Sequence, residues 1–250
     1  MIYAGALLLF GIVAIPYLFR QVWFDEALTV MNFALMASPS AIYRNYAIPN
    51  NHILFSIVLH YWIGIVPPGI PLDVWCRLPS FLCGIVMLVY LFRRFRTFCG
   101  RKTLVLALAA LALCTPFLIY STAVRGYMPG ALLAVVAAGC AMDIAAGAGF
   151  SAWAGYVLAS LGAVLVVPSD LAALAAAVLF VLPMFGRRFY LKPKFYVLAL
   201  IPPLMLLVGY FPILHKLQAA MRLGEGWRDG AASLKLLYAA VAYSFAVLRI

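Results

Sequence analysis

Two adjacent carboxylates, Asp25 and Glu26, lie directly after the first long apolar run of the sequence and follow two aromatic residues. Carboxylates in such surroundings at a membrane surface are costly to desolvate without a partner, which can raise a carboxyl pKa and create a general base. In the competing interpretation, one of the two acids begins the helix that continues at Ala27 and stabilises its N-terminus. Asp25 and Glu26 are therefore our candidate catalytic residues, with helix capping as the alternative.

Two arginines are candidates for binding a phosphate, because a guanidinium forks onto phosphate oxygens. Arg77 follows Asp73 by four residues. The alternative for this pair is a helical salt bridge or a cap, since Pro79 is expected to disturb a helix at this point. Arg125 is the only charge in the patch 120–127, and the tyrosines at both ends of that patch equally suit an anchor at the membrane interface.

His52, Ser56 and His60 recur every four residues, so they form one polar stripe on a short predicted helix. The two histidines are eight residues apart, which is too far for a metal-binding pair on adjacent turns. A metal site would need further ligands such as Asp25 or Glu26. We expect no cofactor and leave a divalent metal at this acidic pair as an open alternative. The five cysteines form no CxxC pair, so neither zinc nor redox chemistry is indicated.

The composition excludes a soluble globular protein. Hydrophobic residues make up 67% of the chain and charged residues 10%, and the mean hydropathy is +1.08. Soluble domains have roughly 45–50% apolar and about 25% charged residues. The net charge of +11 does not indicate nucleic acid, because the basic residues fall in clusters between apolar runs, as in cytoplasmic loops. The clusters are Arg93, Arg94, Arg96, Arg101 and Lys102, and then Arg187, Arg188, Lys192 and Lys194.

The apolar runs predict an all-α, polytopic transmembrane protein, in which each crossing takes about 20 residues. The first run, residues 2–19, lacks a basic start and an obvious cleavage site, so we predict a retained anchor and not a signal peptide. Residues 20–76 form a large mixed loop, in which the apolar segment 53–66 is short enough for an interfacial helix. The further predicted spans are residues 78–92, 103–119, 128–146, 152–168, 171–186, 195–212 and 231–248.

This prediction gives eight crossings within a single membrane module, residues 1–250. Both basic clusters then lie on one side of the membrane, which the distribution of Lys and Arg identifies as cytoplasmic. The loop 20–76 and Arg125 lie together on the opposite, outer side.

The polar residues occur as a succession of motifs. They are Phe24-Asp25-Glu26-Ala27, Asn50-Asn51-His52-Ile53-Leu54, Arg77-Leu78-Pro79-Ser80 with Gly84 beyond, and Tyr120-Ser121 with Arg125-Gly126-Tyr127. In this order they resemble the N-terminal module of the GT-C glycosyltransferases, in the branch of the protein O-mannosyltransferases and the aminoarabinose transferases of lipid A. The resemblance covers residues 20–127 and rests on motif order, since no single motif is specific; residues 128–250 match only as generic membrane spans.

The resemblance implies an inverting transfer of a sugar from a polyprenyl-phosphate donor to a lipid, glycan or protein acceptor. The reaction would take place on the outer face of a multi-pass protein in a bacterial plasma membrane, with interfacial helices in the first outer loop. Asp25 would be the catalytic base, supported by Glu26. The substrate-binding residues would be His52, Arg77, Arg125 and Tyr127. Relatives often carry prolines after the histidine, where this chain has Ile53 and Leu54.

Two other functions compete with this expectation. The first is a transporter or lipid flippase, although such proteins tend to carry ionisable residues near mid-membrane, where the spans predicted here are nearly charge-free. The second is a non-catalytic membrane partner of a glycosyltransferase. Because relatives continue with more spans and often a soluble domain, we expect this chain to lack that C-terminal part. It would then be a fragment, or a reduced module that needs a partner subunit.

Overall fold

The computed structural model describes residues 2–46, 51–96, 99–185, 191–216 and 219, and every regular element in those ranges is helical. The longer helices are α1 (Ile2–Leu18), α5 (Leu72–Phe95), α6 (Arg101–Leu113), α8 (Tyr127–Ala146), α9 (Phe150–Val166), α10 (Asp170–Phe185) and α11 (Pro193–Tyr210). The shorter ones are α2 (Phe24–Leu28), which a π-helical turn (Thr29–Ala34) continues, α3 (Pro39–Arg44), α4 (Ile53–Ile63), α7 (Thr115–Ser121) and a 3-10 turn (Phe211–Ile213).

Three helical segments are long and apolar enough to cross a membrane, namely Leu72–Phe95, Tyr127–Ala146 and Pro193–Lys216. Helices α6 and α7 meet at a bend of 66° and supply a fourth if they form one broken span. The described part of the chain is thus a helical protein with three to four candidate spans. The count of eight stays a prediction. Its last member, residues 231–248, lies outside the described residues, as do Arg187 and Arg188 of the second basic cluster.

Helix α5 begins at Leu72, earlier than the predicted start at residue 78, and Pro79 does not interrupt it. Proline lacks the N–H that would reach the carbonyl four residues earlier, which here belongs to Trp75. The indole Nε1 of Trp62 donates a hydrogen bond to that carbonyl instead, at 2.9 Å. The prediction that Pro79 disturbs the helix was wrong, because a side chain from another helix replaces the missing donor.

The same tryptophans join α4 to α5. Trp75 Nε1 donates to the Trp62 carbonyl at 2.8 Å, and the two rings stack with centroids 4.5 Å apart and planes 10° from parallel. Helix α4 has 11 residues, which confirms the prediction of a short helix in the segment 53–66. The tryptophan pair therefore fixes the C-terminal end of α4 against the start of a candidate membrane span.

Helix α8 packs against α5, α9 and α10. Helices α5 and α8 run parallel. At one end Arg94 donates to the Asp143 carboxylate at 2.8 Å, and at the other Ser80 donates to the Arg125 carbonyl at 3.1 Å. The short helices α2 to α4 gather near that second end, at the starts of α5 and α8, where most of the predicted site residues lie.

We predict that Trp62→Phe lowers the thermal stability of the detergent-solubilised protein, because an unpaired, partly buried carbonyl costs about 1–3 kcal/mol. The same substitution should cost less in a Pro79→Ala background, since alanine returns a backbone N–H to the Trp75 carbonyl. Unfolding curves of the four proteins measure this difference, with Tyr61→Phe on the exposed face of α4 as the control. An equal loss in both backgrounds would contradict the explanation.

Candidate functional site

The Glu26 carboxylate is buried and accepts hydrogen bonds from several separate parts of the chain. Arg77 approaches with two nitrogens, Nη2 to Oε2 at 2.9 Å and Nε to Oε1 at 3.2 Å. The backbone N–H groups of Trp23 and Val124 donate at 3.0 and 2.9 Å. Arg20 Nη2 lies 3.4 Å from Oε1 and its guanidinium stacks over the Trp23 ring. Glu26 thus connects the end of α1, the start of α2, α5 and the segment before α8.

Arg77 is fully buried, and its five N–H donors all face acceptors of the protein. Besides Glu26, its guanidinium donates to the carbonyls of Leu18, Arg20 and Gln21, at 2.6, 2.9 and 3.3 Å. Asp73 adds an ion pair at 3.5 Å, the salt bridge that the spacing of these two residues allows. In this arrangement Arg77 has no donor left for a phosphate, so the geometry gives it a role in holding the end of α1.

Glu26 is held as an anion. Burial by itself raises the pKa of its carboxyl group, but the hydrogen bonds from Arg77 and from the Trp23 and Val124 backbone outweigh burial and hold the pKa below its ordinary value. A carboxylate with both oxygens occupied and a lowered pKa is a poor proton acceptor. The bond from Trp23, at the start of α2, also makes Glu26 part of the helix cap. The structure therefore favours a supporting role for Glu26 over a role as base.

Asp25 differs from its neighbour because it lies on the exposed side of α2. Its backbone carbonyl accepts a hydrogen bond from the Thr29 hydroxyl at 2.9 Å and a longer one from Arg125 Nη1 at 3.5 Å. Asp25 and Arg125 are 100 residues apart in the sequence, and the fold brings them into contact. Arg125 therefore contacts the backbone of the residue that carries the exposed carboxylate.

Arg125 is 3% exposed. Its Nη1 donates to the Thr29 hydroxyl and its Nη2 to the Tyr127 hydroxyl, both at 3.3 Å, and the guanidinium lies 5.4 Å from the Tyr127 ring centre. His52 meets the Tyr127 ring edge-on, with ring centroids 4.8 Å apart. Tyr120 also packs against the Tyr127 ring, at a centroid distance of 4.9 Å. Of the predicted substrate-binding residues, His52, Arg125 and Tyr127 thus form one cluster.

His52 is a neutral imidazole at physiological pH. Burial, and secondarily the charge of Arg125, lower its pKa to about 3. His52 precedes the first residue of α4 and lies against Gly126, where a Cβ would approach Val166 Cγ1 to 2.5 Å and His52 Nδ1 to 2.8 Å. Glycine is therefore required next to Arg125 for the histidine to reach its position. His60, at the other end of the predicted stripe, contacts the Ala34 carbonyl at 2.8 Å and is not part of the cluster.

Two members of this network were not predicted as site residues. Arg20 pairs with Glu26, and its place directly after the first apolar run is the only sequence signal for it. Thr29 links the Asp25 carbonyl to Arg125, and it stands one helical turn after Asp25. Asn51 belongs to the motif that contains His52. It donates to the Ile42 and Asn45 carbonyls and so fixes the backbone just before His52.

A metal site at the acidic pair would need at least one further ligand. Among the described residues, no group of three or more His, Cys, Asp or Glu side chains is placed to hold a metal ion. Asp25 and Glu26 also face different surroundings, one solvent and the other the buried arginines. The open alternative of a divalent metal at this pair thus gains no support from the geometry.

No protein-family model, curated protein or solved structure matches this chain. The resemblance in motif order over residues 20–127 consequently stays a prediction. A functional assignment has to rest on the residues and on the geometry given above.

We predict that Glu26→Gln destabilises the protein by about 3 kcal/mol at pH 7, because it leaves a buried arginine without its counter-ion. The folded-state pKa of Glu26 lies below the ordinary 4.5, so ionised Glu26 stabilises the fold fully above pH 4.5, and this contribution is lost as the pH falls through the folded-state value. The stability difference from wild type should therefore shrink below pH 4.5.

Thermal unfolding in detergent between pH 3 and 8 measures this dependence. Asp143→Asn is the matched control, because it removes a half-exposed ion pair with Arg94 that contributes less than about 1 kcal/mol. If Glu26→Gln lowers the stability by the same amount at every pH, the conclusion that Glu26 is a buried anion is contradicted.

Proposed function

We propose that this chain is a membrane glycosyltransferase of the GT-C type. It transfers a sugar, with inversion, from a polyprenyl-phosphate donor to an acceptor at the surface formed by α2, α4 and the start of α8. The observation that carries the proposal is the contact between the Asp25 segment and Arg125. This contact joins the backbone of the residue with the exposed carboxylate to a buried cation, near the ends of two candidate membrane spans, and so supports the proposal.

Asp25 is the base in this proposal. An acceptor hydroxyl or amine loses its proton to the carboxylate as it attacks the anomeric carbon, and a positioned carboxylate assists that step. The new bond forms on the face opposite the phosphate, whose bond to the anomeric carbon breaks, so the configuration inverts. The electron pair of the broken bond goes to the phosphate oxygen, and the polyprenyl phosphate leaves as an anion.

Arg125 supplies the positive charge for that leaving phosphate. A phosphate that leaves as an anion needs cationic stabilisation more than it needs a general acid, and a guanidinium in a partly dehydrated site provides it. The Tyr127 hydroxyl lies beside Arg125 and can donate a hydrogen bond to the donor. The neutral imidazole of His52 donates to the Val166 backbone and can accept a hydrogen bond at its other ring nitrogen. Both are positioned to contact the phosphate or the sugar.

Glu26 and Arg77 position the site in this proposal and do not contact the substrate. Arg77 was predicted to bind the phosphate, but all its donors face protein acceptors. The Glu26 carboxylate accepts a hydrogen bond from the Val124 N–H. Because Val124 directly precedes Arg125, this bond fixes the position of the Arg125 backbone. The topology of eight spans with this surface on the outer side of a bacterial plasma membrane belongs to the same proposal.

We predict that purified protein in liposomes transfers sugar from a polyprenyl-phosphate sugar and that Asp25→Asn lowers the rate at least about 100-fold, the usual contribution of a general base. Radiolabelled sugar moving from donor to extracted acceptor lipids, or to protein, measures the rate. Asp143→Asn, at the opposite end of α8, should keep the wild-type rate. Donor movement across the liposome membrane that survives Asp25→Asn, without transfer, would instead identify a transporter.

A further inference from the structure

An apolar cleft of about 420 Å³ lies between α2, with its π-helical turn, and the first turns of α5. Its volume is in the range of small-molecule binding sites. The walls are mostly hydrophobic, and they include Trp23, Phe24, Ala27, Met31, Leu72 and Cys76.

The cleft adjoins both the membrane boundary and the proposed base. Leu72 begins a candidate membrane span, and Trp23, of a residue type enriched at membrane interfaces, is 48% exposed at the rim. The residues directly before and after Asp25, namely Phe24 and Glu26, both line the cleft. The cleft therefore lies along the same short helix that carries Asp25.

We infer that this cleft holds a hydrocarbon chain of the acceptor, and hence that the acceptor is a membrane lipid with an uncharged head group that carries a hydroxyl. The inference rests on the proposed function, because it uses Asp25 as the base that receives the acceptor proton. The donor phosphate goes to Arg125, and the acceptor lipid approaches from the side of α2 and α5.

The charges around the cleft favour an uncharged head group. Two acids, Glu26 and Asp73, line the cleft. Two arginines, Arg20 and Arg77, form ion pairs with these acids. Arg77 and Glu26 are buried, and the Arg20 side chain is only 15% exposed and faces Glu26. The Asp73 side chain is 38% exposed, so the charge most open to solvent at the rim is a carboxylate. It repels a second phosphate and can accept a hydrogen bond from a hydroxyl.

A peptide acceptor fits the same walls poorly. Each peptide unit brings an N–H and a C=O that need partners when buried. The hydrogen-bonding side chains among the lining residues are chiefly those of Glu26, Asp73 and Trp23, and both oxygens of Glu26 are already occupied. A hydrocarbon chain has no such requirement, so it can pass from the bilayer into the cleft without leaving a polar group unpaired.

The test is photo-crosslinking of the full-length protein in detergent with three probes that carry a diazirine. The probes are a diacylglycerol with the diazirine in one acyl chain, the phosphatidic acid with the same chains, and an apolar peptide containing photo-leucine. Peptide mapping by mass spectrometry locates the labels. We expect diacylglycerol to label the segments 23–31 and 72–76, and phosphatidic acid to label them about two- to fivefold less, as expected for one exposed like-charge contact.

Two variants obstruct the cleft by different means. Ala27→Trp fills it, and Leu72→Asp adds a charge at an exposed rim position that tolerates a polar residue. Both should lose diacylglycerol labelling of the cleft, while Leu8→Trp, at an exposed position on α1, should keep it. Undiminished labelling in both variants overturns the inference. So does labelling by phosphatidic acid that equals or exceeds that of diacylglycerol, or preferential labelling by the peptide.

These outcomes are separate from those of the transfer assay, because crosslinking needs neither donor nor Asp25 chemistry. If the cleft is labelled and Asp25→Asn transfers sugar at the wild-type rate, the lipid site is supported and the proposed mechanism is contradicted. Loss of transfer in Asp25→Asn without cleft labelling would leave the mechanism and remove the lipid acceptor.

Discussion

The arrangement of the candidate site depends on one buried ion pair, between Glu26 and Arg77. Two charges removed from water are stable only when their geometry is good and their remaining hydrogen-bonding groups have partners. Here both conditions hold. Arg77 donates two hydrogen bonds to Glu26, backbone N–H groups also donate to Glu26, and backbone carbonyls accept from Arg77. Because those partners come from α1, α2, α5 and the segment before α8, the pair fixes four parts of the chain at one point.

The residues of the proposed reaction lie around that fixed point. Glu26 holds Val124, so the next residue, Arg125, turns toward Thr29 and the Asp25 carbonyl. Its backbone is held by Ser80 and its guanidinium by Tyr127. Asp25 stays on the exposed side of the same short helix. Two neighbouring carboxylates thus have different surroundings, and the proposed base is the exposed one.

The sequence allowed the helical class with candidate membrane spans and the short helix α4 to be predicted, because these depend on composition and on local spacing. It also singled out His52, Arg125 and Tyr127, which the structure brings into one cluster. The contact between Glu26 and Arg77 was not predictable, since it joins residues 51 positions apart and spacing does not show which donors are occupied. The start of α5 was missed for a similar reason. Pro79 is a helix breaker by local rules, and the compensating indole of Trp62 comes from another helix.

The most direct test of the account is mass spectrometry of the lipids that copurify with the detergent-extracted protein. Wild type should retain a polyprenyl-phosphate sugar, Arg125→Ala should lose it, and Arg44→Ala, at an exposed position on α3, should retain it. The mass would then identify the sugar. The account is contradicted if all three proteins carry only bulk phospholipid, or if the polyprenyl lipid remains bound without Arg125.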